Sequence, residues 1–453
     1  MKSLTGVDLL FVMLLSGCPV ACGGRTCLTL GAEHDATCGP SLDSLSCADT
    51  SCRSTDDRCG LAQDCRLRTA CDGVFCKAWE FCYAGRCRPR GAGNGVMAVN
   101  AESACFLQEG GEVICWGARP PGVPGVEEPE YVCPPKKTLF PAATFVASSY
   151  AMHSHNACVV DQEGVVWCAG DNQWGQLGTG QCGEWGEWQN EPVKVMVLSG
   201  IRSREVAVGD GFACALAETG KVYCWGRNDS GQLGSGEGAV PDPCKVSSVE
   251  PVPLEGKGLM LATSPAMDGV DSACALTEDG LVWCWGSQVP LEDGSLGLAW
   301  KPLAVGGIPG ALAIAVGNGA GCGLVPDAGC FCWGGNYHGL LGPPDSMLES
   351  AAAVPIYGTQ ETVGVSIGGP WAGAIRENAR VLSWGSFLPW PELSGVAPTA
   401  WLPFEVQGVE DVVALSGSEL VACVLDSAGK VRCTASSFSC SRVSGGWEEV
   451  ELE

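Results

Sequence analysis

Six pairs of cysteines, each pair ten positions apart, recur along this 453-residue chain: Cys105 with Cys115, Cys158 with Cys168, Cys214 with Cys224, Cys274 with Cys284, Cys322 with Cys332 and Cys423 with Cys433. One more copy of the surrounding pattern lies between the fifth and sixth pairs. There both cysteine positions have changed together, to Gly373 and Ser383. A period of roughly 50 residues with short apolar runs marks a repeat array, whose units bury their apolar faces only by stacking on one another. The joint loss in one copy indicates side chains that depend on each other, as disulfide partners do. Buried free thiols are the alternative.

The third copy shows the local geometry. Its short apolar runs, separated by glycine-rich turns, read as strands. The midpoint between Cys214 and Cys224 is Thr219, so Glu218, Thr219 and Gly220 form a three-residue hairpin loop. Glycine falls at the third loop position, where a type I turn followed by a bulge needs a left-handed conformation. Gly111, Gly164, Gly280 and Gly429 occupy the same place. The paired cysteines then face each other across the ladder. At a non-hydrogen-bonded site the Cα atoms are about 4.5 Å apart, a separation a disulfide accepts. Two copies depart from the rule. In the fifth, Gly329 comes one place late and Cys330 competes with Cys332. In the sixth, Ala379 stands in place of the glycine.

Seven copies permit radial closure, which protects sheet edges from pairing with other chains. The expected fold is therefore all-β: a seven-bladed β-propeller over 96–453, preceded by a small disulfide-rich loop module over 18–90 and a linker over 91–95. The C-terminal Gly446–Glu453 resembles the segment preceding each later cysteine pair, so it is expected to lend a closing strand to the first blade.

Cysteine usage points to an oxidising, extracytoplasmic compartment, with 29 cysteines against 4 histidines. Residues 1–17 read as a lipoprotein-type signal peptide. Val7 to Leu15 is mostly apolar and too short to span a membrane, and Leu15-Ser16-Gly17-Cys18 resembles a bacterial lipobox with Cys18 as the lipidated residue. Plain secretion is the alternative. The formal charge of −25 is uneven: residues 18–95 hold 9 acidic and 9 basic side chains, so the excess acid sits in the repeats. Nucleic-acid binding needs a basic footprint, and none is expected here. Without Cys18, the N-terminal module holds eleven cysteines. The repeats hold five outside the hairpin pairs: Cys133, Cys182, Cys244, Cys330 and Cys440. Both numbers are odd. Complete oxidation therefore requires a bridge between module and propeller; the alternative is a free thiol in each.

The Trp-Gly pairs at Trp116, Trp225, Trp285, Trp333 and Trp384 recur with runs of Asn-x-x-Gly-Gln-Leu-Gly at Asn172–Gly178 and Asn228–Gly234, and a variant at Asn336–Gly342. On these residues the chain resembles the regulator of chromosome condensation repeat family, over roughly 96–447. The resemblance implies a propeller of about seven four-stranded blades. Ala169 and Thr434 replace the tryptophan in the second and seventh copies. The family's best-known activity is chromatin-bound exchange on a small GTPase. A secreted, acidic propeller is not expected to meet a small GTPase, since fold does not imply function.

No catalytic motif stands out. Walker, His-Glu-x-x-His and sialidase boxes do not occur. His153-x-His155 lacks further ligands, so no metal or cofactor is expected. Asn172 and Asn228 are expected to cap turns. Trp185, Trp188, Trp371, Trp390 and Trp401 lie outside the repeated positions and are candidates for a recognition surface or for covering an edge. The expected function is a non-enzymatic cell-surface lipoprotein, a binding or adhesion scaffold for protein or glycan partners, tied to a bacterial membrane by its lipid alone. The alternative is an extracytoplasmic hydrolase or lyase with its site at one mouth of the propeller. Peptide mapping without reductant is expected to recover the six ten-residue pairs; a Cys322–Cys330 bond, or free thiols throughout, would count against them.

Overall fold

The computed structural model describes residues 95–452 except 126–130, 152–153, 185, 237–248, 265–269, 344–346, 387–399, 420 and 435–446; before residue 95 it describes only short strand pieces, among them Glu80–Tyr83 and Arg86–Pro89. Two compact units emerge, Met1–Cys87 and Arg88–Glu453. The signal segment, Cys18, His34, His153, Trp185 and Trp390 lie outside the described residues, as does the connectivity of the N-terminal cysteines. No described helix is long and apolar enough to cross a membrane.

Seven antiparallel sheets follow one another along the second unit. The second blade is typical, with strands Ala143–Ala151, Ser154–Asp161, Val166–Asp171 and Trp188–Lys194 paired in chain order. The first strand of each blade packs against the first strand of the next. This ring runs from Met97–Val99 through Ala143–Ala151, Ser203–Val208, Gly258–Thr263, Ala313–Gly317 and Thr362–Ile367 to Val412–Gly417, and from there back to Met97–Val99. These seven strands surround the central channel. The connections between first and second strands, and between third and fourth, therefore leave from one face (the loop face). The short second-to-third hairpins lie on the other.

The third blade departs from four strands. Beyond Val222–Gly226 its outer position holds one isolated bridge, Tyr223 to Pro251, and a hydrogen bond from the Val252 amide to the Val222 carbonyl, 2.8 Å. Pro251 and Pro253 have no N–H to give a ladder, which keeps this segment from continuing as a strand. The C-terminal segment also differs from expectation. Trp447–Glu449 pairs with Val431–Thr434 and completes the seventh blade rather than the first. Every described strand belongs to the blade of its own copy, so the ring closes by packing and not by exchange of a strand.

The core lies between blades. One cluster joins Phe145, Val160 and Leu177 of the second blade to Val206, Ala213 and Trp225 of the third; another joins Phe212, Leu216 and Val222 of the third to Leu261, Ala275 and Trp285 of the fourth. Each hairpin that carries a cysteine pair supplies its disulfide to this interior. Cys214 and Cys224 stand directly opposite, bonded at a Cα separation of 4.1 Å. Cys105 bonds to Cys115, Cys158 to Cys168, Cys274 to Cys284 and Cys423 to Cys433 at the same 4.1 Å, and Cys322 bonds to Cys332 at 4.0 Å. The loop of the third hairpin closes through Ala217 N–H to Lys221 O and Gly220 N–H to Ala217 O, both 2.9 Å. Gly220 takes φ +83°, the left-handed region that glycine enters without steric cost.

The fifth hairpin keeps its register although its glycine is late. Asp327 takes φ 57° and Gly329 φ 91°, so Cys332 still faces Cys322 while Cys330 faces Leu324. Cys330 is buried and free, and burial pushes its thiol up to about 12. It stays a thiol. Cys133 and Cys182 are both disulfide-bonded. With Cys330 free, four of the five extra propeller cysteines remain, an even number. The parity that required a bridge to the N-terminal module no longer holds.

In the sixth blade Gly373 faces Ser383. A Cβ on Gly373 would lie 2.7 Å from Leu415 Cδ2 of the seventh blade, so the glycine lets Leu415 approach this hairpin closely. Ser383 Oγ donates to the Ala372 carbonyl at 2.9 Å. Ala379 takes φ 61° in the hairpin. A left-handed alanine costs about 1–2 kcal/mol, more than the entropy that glycine loses on ordering. Ala379→Gly is therefore expected to stabilise the propeller by about 0.5–1 kcal/mol. Denaturant midpoints under oxidising conditions check this; an unchanged or lower midpoint would show that the turn is unstrained.

Candidate functional site

The two halves of the repeated motif meet across blade boundaries. In the Asn172–Gly178 run, Asn172 Oδ1 accepts the Leu177 amide at 3.1 Å, and Gln176 Oε1 accepts the Trp174 amide at 2.9 Å. Asn228 and Gln232 make the same bonds to Leu233, 3.1 Å, and Ser230, 2.8 Å. These side chains hold the loop so that one carbonyl points at the next blade. Trp225 Nε1 donates to the Gln176 carbonyl, Trp285 Nε1 to that of Gln232 and Trp384 Nε1 to that of Leu340, each at 2.9 Å. Asn172 and Asn228 are turn caps, and the tryptophans are locks between consecutive blades.

On the loop face, polar groups form three clusters, each straddling two blades. Between the first and second blades, His155 Nε2 lies 3.2 Å from Ser103 Oγ, and the His155 amide donates to Asp171 Oδ2 at 2.8 Å. Burial, with the Arg119 charge nearby, drives the His155 imidazole down to about 3, so it is neutral. Trp188 meets this ring edge-on at 5.5 Å, and the Arg119 guanidinium covers Trp188 at 4.5 Å. Between the fifth and sixth blades, His338 Nδ1 is 2.9 Å from Ser386 Oγ and Nε2 is 3.3 Å from Asn318 Nδ2.

The third cluster spans the third and fourth blades. Arg227 Nη1 lies 3.2 Å from both Asp210 Oδ2 and Asp271 Oδ2, and Nη2 lies 2.7 Å from Asp229 Oδ2. The Asp210 and Asp271 side chains are buried, whereas Asp229 is half exposed. The guanidinium carbon lies 5.7 Å from the centre of the Trp174 ring. Burial, then the neighbouring Asp210 carboxylate, push Asp271 up to about 7, with Arg227 opposing.

The channel mouth between these clusters holds a small cavity of about 50 Å³, lined in part by Asn100, Asn318, Ser418 and Glu419. Glu419 is the one carboxylate among its lining residues, which offers no carboxylate pair for glycoside hydrolysis. Among the described residues no group of three His, Cys, Asp or Glu side chains is placed to hold a metal ion.

The candidate tryptophans separate. Trp188 lies on the loop face. Trp371 is fully buried and donates to the Ser418 carbonyl at 2.8 Å, a core contact between the sixth and seventh blades. Trp401 covers Gly339, where a Cβ would meet its ring at 2.0 Å. Sequence reading missed the Asp210–Arg227–Asp271 cluster. A signal was present: Arg227 is the only charged residue that directly follows one of the five repeated Trp-Gly pairs.

Comparison with known proteins follows from this geometry. Residues 163–216 and 219–257 match the regulator of chromosome condensation (RCC1) repeat, and a second description of that repeat matches 204–232. The chain carries RCC1 repeats. Two curated relatives are the E3 ubiquitin-protein ligase HERC2 of Mus musculus and the mitochondrial RCC1 domain-containing protein RUG3 of Arabidopsis thaliana. HERC2 is 30% identical over 220 residues, 48% of this chain and 4% of that protein. RUG3 is 29% identical over 210 residues, 45% of this chain and 44% of that protein. The chain thus spans less than half the length of either. The crystal structure of Prp20p from Saccharomyces cerevisiae superposes with a TM-score of 0.59 at 19% identity, covering 71% of this chain and 80% of that one.

An RCC1-type propeller points to a binding or scaffold role. One expectation is corrected here. Prp20p is described by its binding to Gsp1p and histones, and Gsp1p is a GTPase. The fold therefore serves a GTPase-binding protein, and the exclusion of a small GTPase from composition alone does not stand.

The RCC1 lock also sets a test. Gly234 takes φ +65°, and a Cβ there would sit 2.8 Å from Trp285 Cδ1. Gly234→Ala combines backbone strain with overpacking of a buried indole and is expected to destabilise by about 2–4 kcal/mol. Gly236→Ala shares a positive φ, 78°, but meets Lys301 Cβ only at 4.0 Å, so it is expected to cost about 1–2 kcal/mol. Equal losses in denaturant unfolding would show that the indole contact does not limit this position.

Proposed function

We propose that this RCC1-repeat propeller is a non-catalytic binding scaffold whose loop face receives a basic protein. The observation that carries this reading is the contrast between the two faces. On the hairpin face basic side chains reach the surface and pair with acids, Arg202 with Glu218, Arg380 with Glu410, Lys430 with Glu449 and Lys137 with Glu112, beside Glu109, Glu163, Glu278 and Asp279, which are exposed there without a basic partner among the described residues. On the loop face Glu184, Glu187, Asp229, Glu292 and Asp293 are exposed, while Arg119 covers Trp188 and Arg227 is drawn into buried acids. An uneven field of this kind steers a partner of opposite sign and fixes its orientation.

The setting we propose is extracytoplasmic, supported by the six buried disulfides of the propeller. Lipidation of Cys18 and display at a bacterial surface are part of the same reading, supported by Leu15-Ser16-Gly17-Cys18. So is the division into a signal over 1–17, a cysteine-rich module over 18–90 and a propeller from residue 96.

Biolayer interferometry on the oxidised full chain tests the reading, with basic proteins and a small GTPase as separate probes. Basic proteins are expected to bind with an affinity that falls at least about tenfold between low and physiological salt. A combined Glu184→Lys, Glu187→Lys, Asp229→Lys variant is expected to lose that binding. A Glu112→Lys, Glu218→Lys variant on the opposite face is expected to keep it. Equal losses in the two variants would refute a loop-face site.

A further inference from the structure

We infer that Asp210, Arg227 and Asp271 form a proton-operated latch between the third and fourth blades at the rim of the loop face. This goes beyond the binding role and does not depend on which partner is bound.

The charge count at the cluster is unbalanced. Three carboxylates, Asp210, Asp229 and Asp271, surround one guanidinium, and two of the three are shut away from water. Both buried carboxylates reach the same Arg227 nitrogen through one oxygen each, at 3.2 Å. The other oxygen of Asp271, Oδ1, is buried and has no hydrogen-bond partner. An ionised oxygen in that position loses its hydration without return. Two carboxylates sharing one buried cation hold a proton more readily than either alone, because ionising the second costs like-charge repulsion. The groups facing Asp271 are Asp210 from the first connection of the third blade, and Arg227 and Asp229 from its third. Trp174, brought from the second blade, is uncharged. The backbone of Asp271 is held by the fourth blade itself: the Ser287 amide and hydroxyl donate to its carbonyl at 2.8 and 3.2 Å. The bridge between blades therefore lies in the side chain alone, which is the part that titrates.

The direction follows from linkage. Asp271 binds its proton more tightly in the folded state, near pH 7, than an unfolded aspartate does near 3.8. Its contribution to stability is full below the unfolded value. It is lost as pH rises from about 4 to about 7, and is constant above. In acid the latch is neutral at Asp271 and closed. At neutral pH and above, the added charge loosens the joint where the first connections of the third and fourth blades meet.

The test is thermal unfolding of the oxidised full chain between pH 5 and pH 8, wild type beside Asp271→Asn. The wild-type unfolding temperature is expected to fall with rising pH by about 2–4 °C more than that of the variant. Asp210→Asn removes the repelling carboxylate and is expected to move the wild-type transition to lower pH. Parallel curves for wild type and Asp271→Asn overturn the latch. Should the variants fail to fold, hydrogen exchange of the wild type decides. Protection of the amides around Asp210 and Asp271 is expected to drop at least tenfold from pH 5 to pH 8, after correction for intrinsic exchange, and more than in the other first connections. Uniform protection at both pH values overturns the proposal.

Discussion

The indole of one blade hydrogen-bonded to a backbone carbonyl of the blade before it is the contact on which this ring depends most. No described strand crosses from one copy to another, so closure needs forces acting between side chains. A buried indole contributes a large apolar area and one N–H, which must find an acceptor once water is excluded. The loop preceding each locked blade presents that acceptor through its own capped turn. The lock therefore reads two things at once, the size of the partner and its orientation. Where it is absent the chain uses other devices. At the sixth and seventh blades the indole of Trp371 comes from the earlier blade and reaches forward to the Ser418 carbonyl.

The disulfides work at a different level. Each joins the second and third strands of one blade, as Cys105 with Cys115 and Cys423 with Cys433 do at the two ends of the ring, and none of the six links two blades. Closing so short a loop stabilises the hairpin by a few kcal/mol at most, chiefly by restricting the unfolded chain. The benefit falls on the unit that a small blade most lacks, a preformed strand pair with a buried face. Cooperation among blades is left to packing, as in other repeat arrays where neighbours interact only with neighbours. The sixth blade has no such bond: Gly373 faces Ser383, and Leu415 of the seventh blade packs close against the glycine.

Much of this was legible in the residues. The ten-residue spacing about a glycine-closed loop specified that Cys158 faces Cys168 and Cys274 faces Cys284, because register in a hairpin follows from loop length. The relation between the motif halves was only partly legible. Ala169 and Thr434, which replace the lock tryptophan, each follow a copy that lacks the Gly-Gln-Leu-Gly run, but Trp333 keeps its indole after a fourth copy that lacks the run as well. What escaped the sequence depends on where chain segments meet in space. The final segment resembles those that begin a blade, yet Trp447–Glu449 ends one, since similarity of pattern does not say which edge is free. The Arg227 cluster draws on Asp210, 17 residues before it, and Asp271, 44 residues after it, and no periodicity announces such a meeting.

The polar clusters of the loop face bear on how a ring of similar blades keeps each in place. Apolar faces between blades are alike along the ring, and by themselves they discriminate poorly between one neighbour and another. Ser103 with His155, Arg227 with Asp210 and Asp271, and His338 with Ser386 are each different chemistry, and all but the Arg227–Asp210 contact join adjacent copies. A buried ion cluster is weak evidence for added stability, because desolvation offsets much of its attraction. Its energy is instead sharply dependent on geometry: a displaced guanidinium leaves two buried carboxylates uncompensated. Such contacts penalise a misplaced neighbour more than they reward a correct one. They also stand at the rim from which the connections of the loop face depart. The disulfides lie mid-strand within each blade and these charged contacts lie at the rim, so a change of charge acts on contacts at the rim and leaves the covalent pairs untouched.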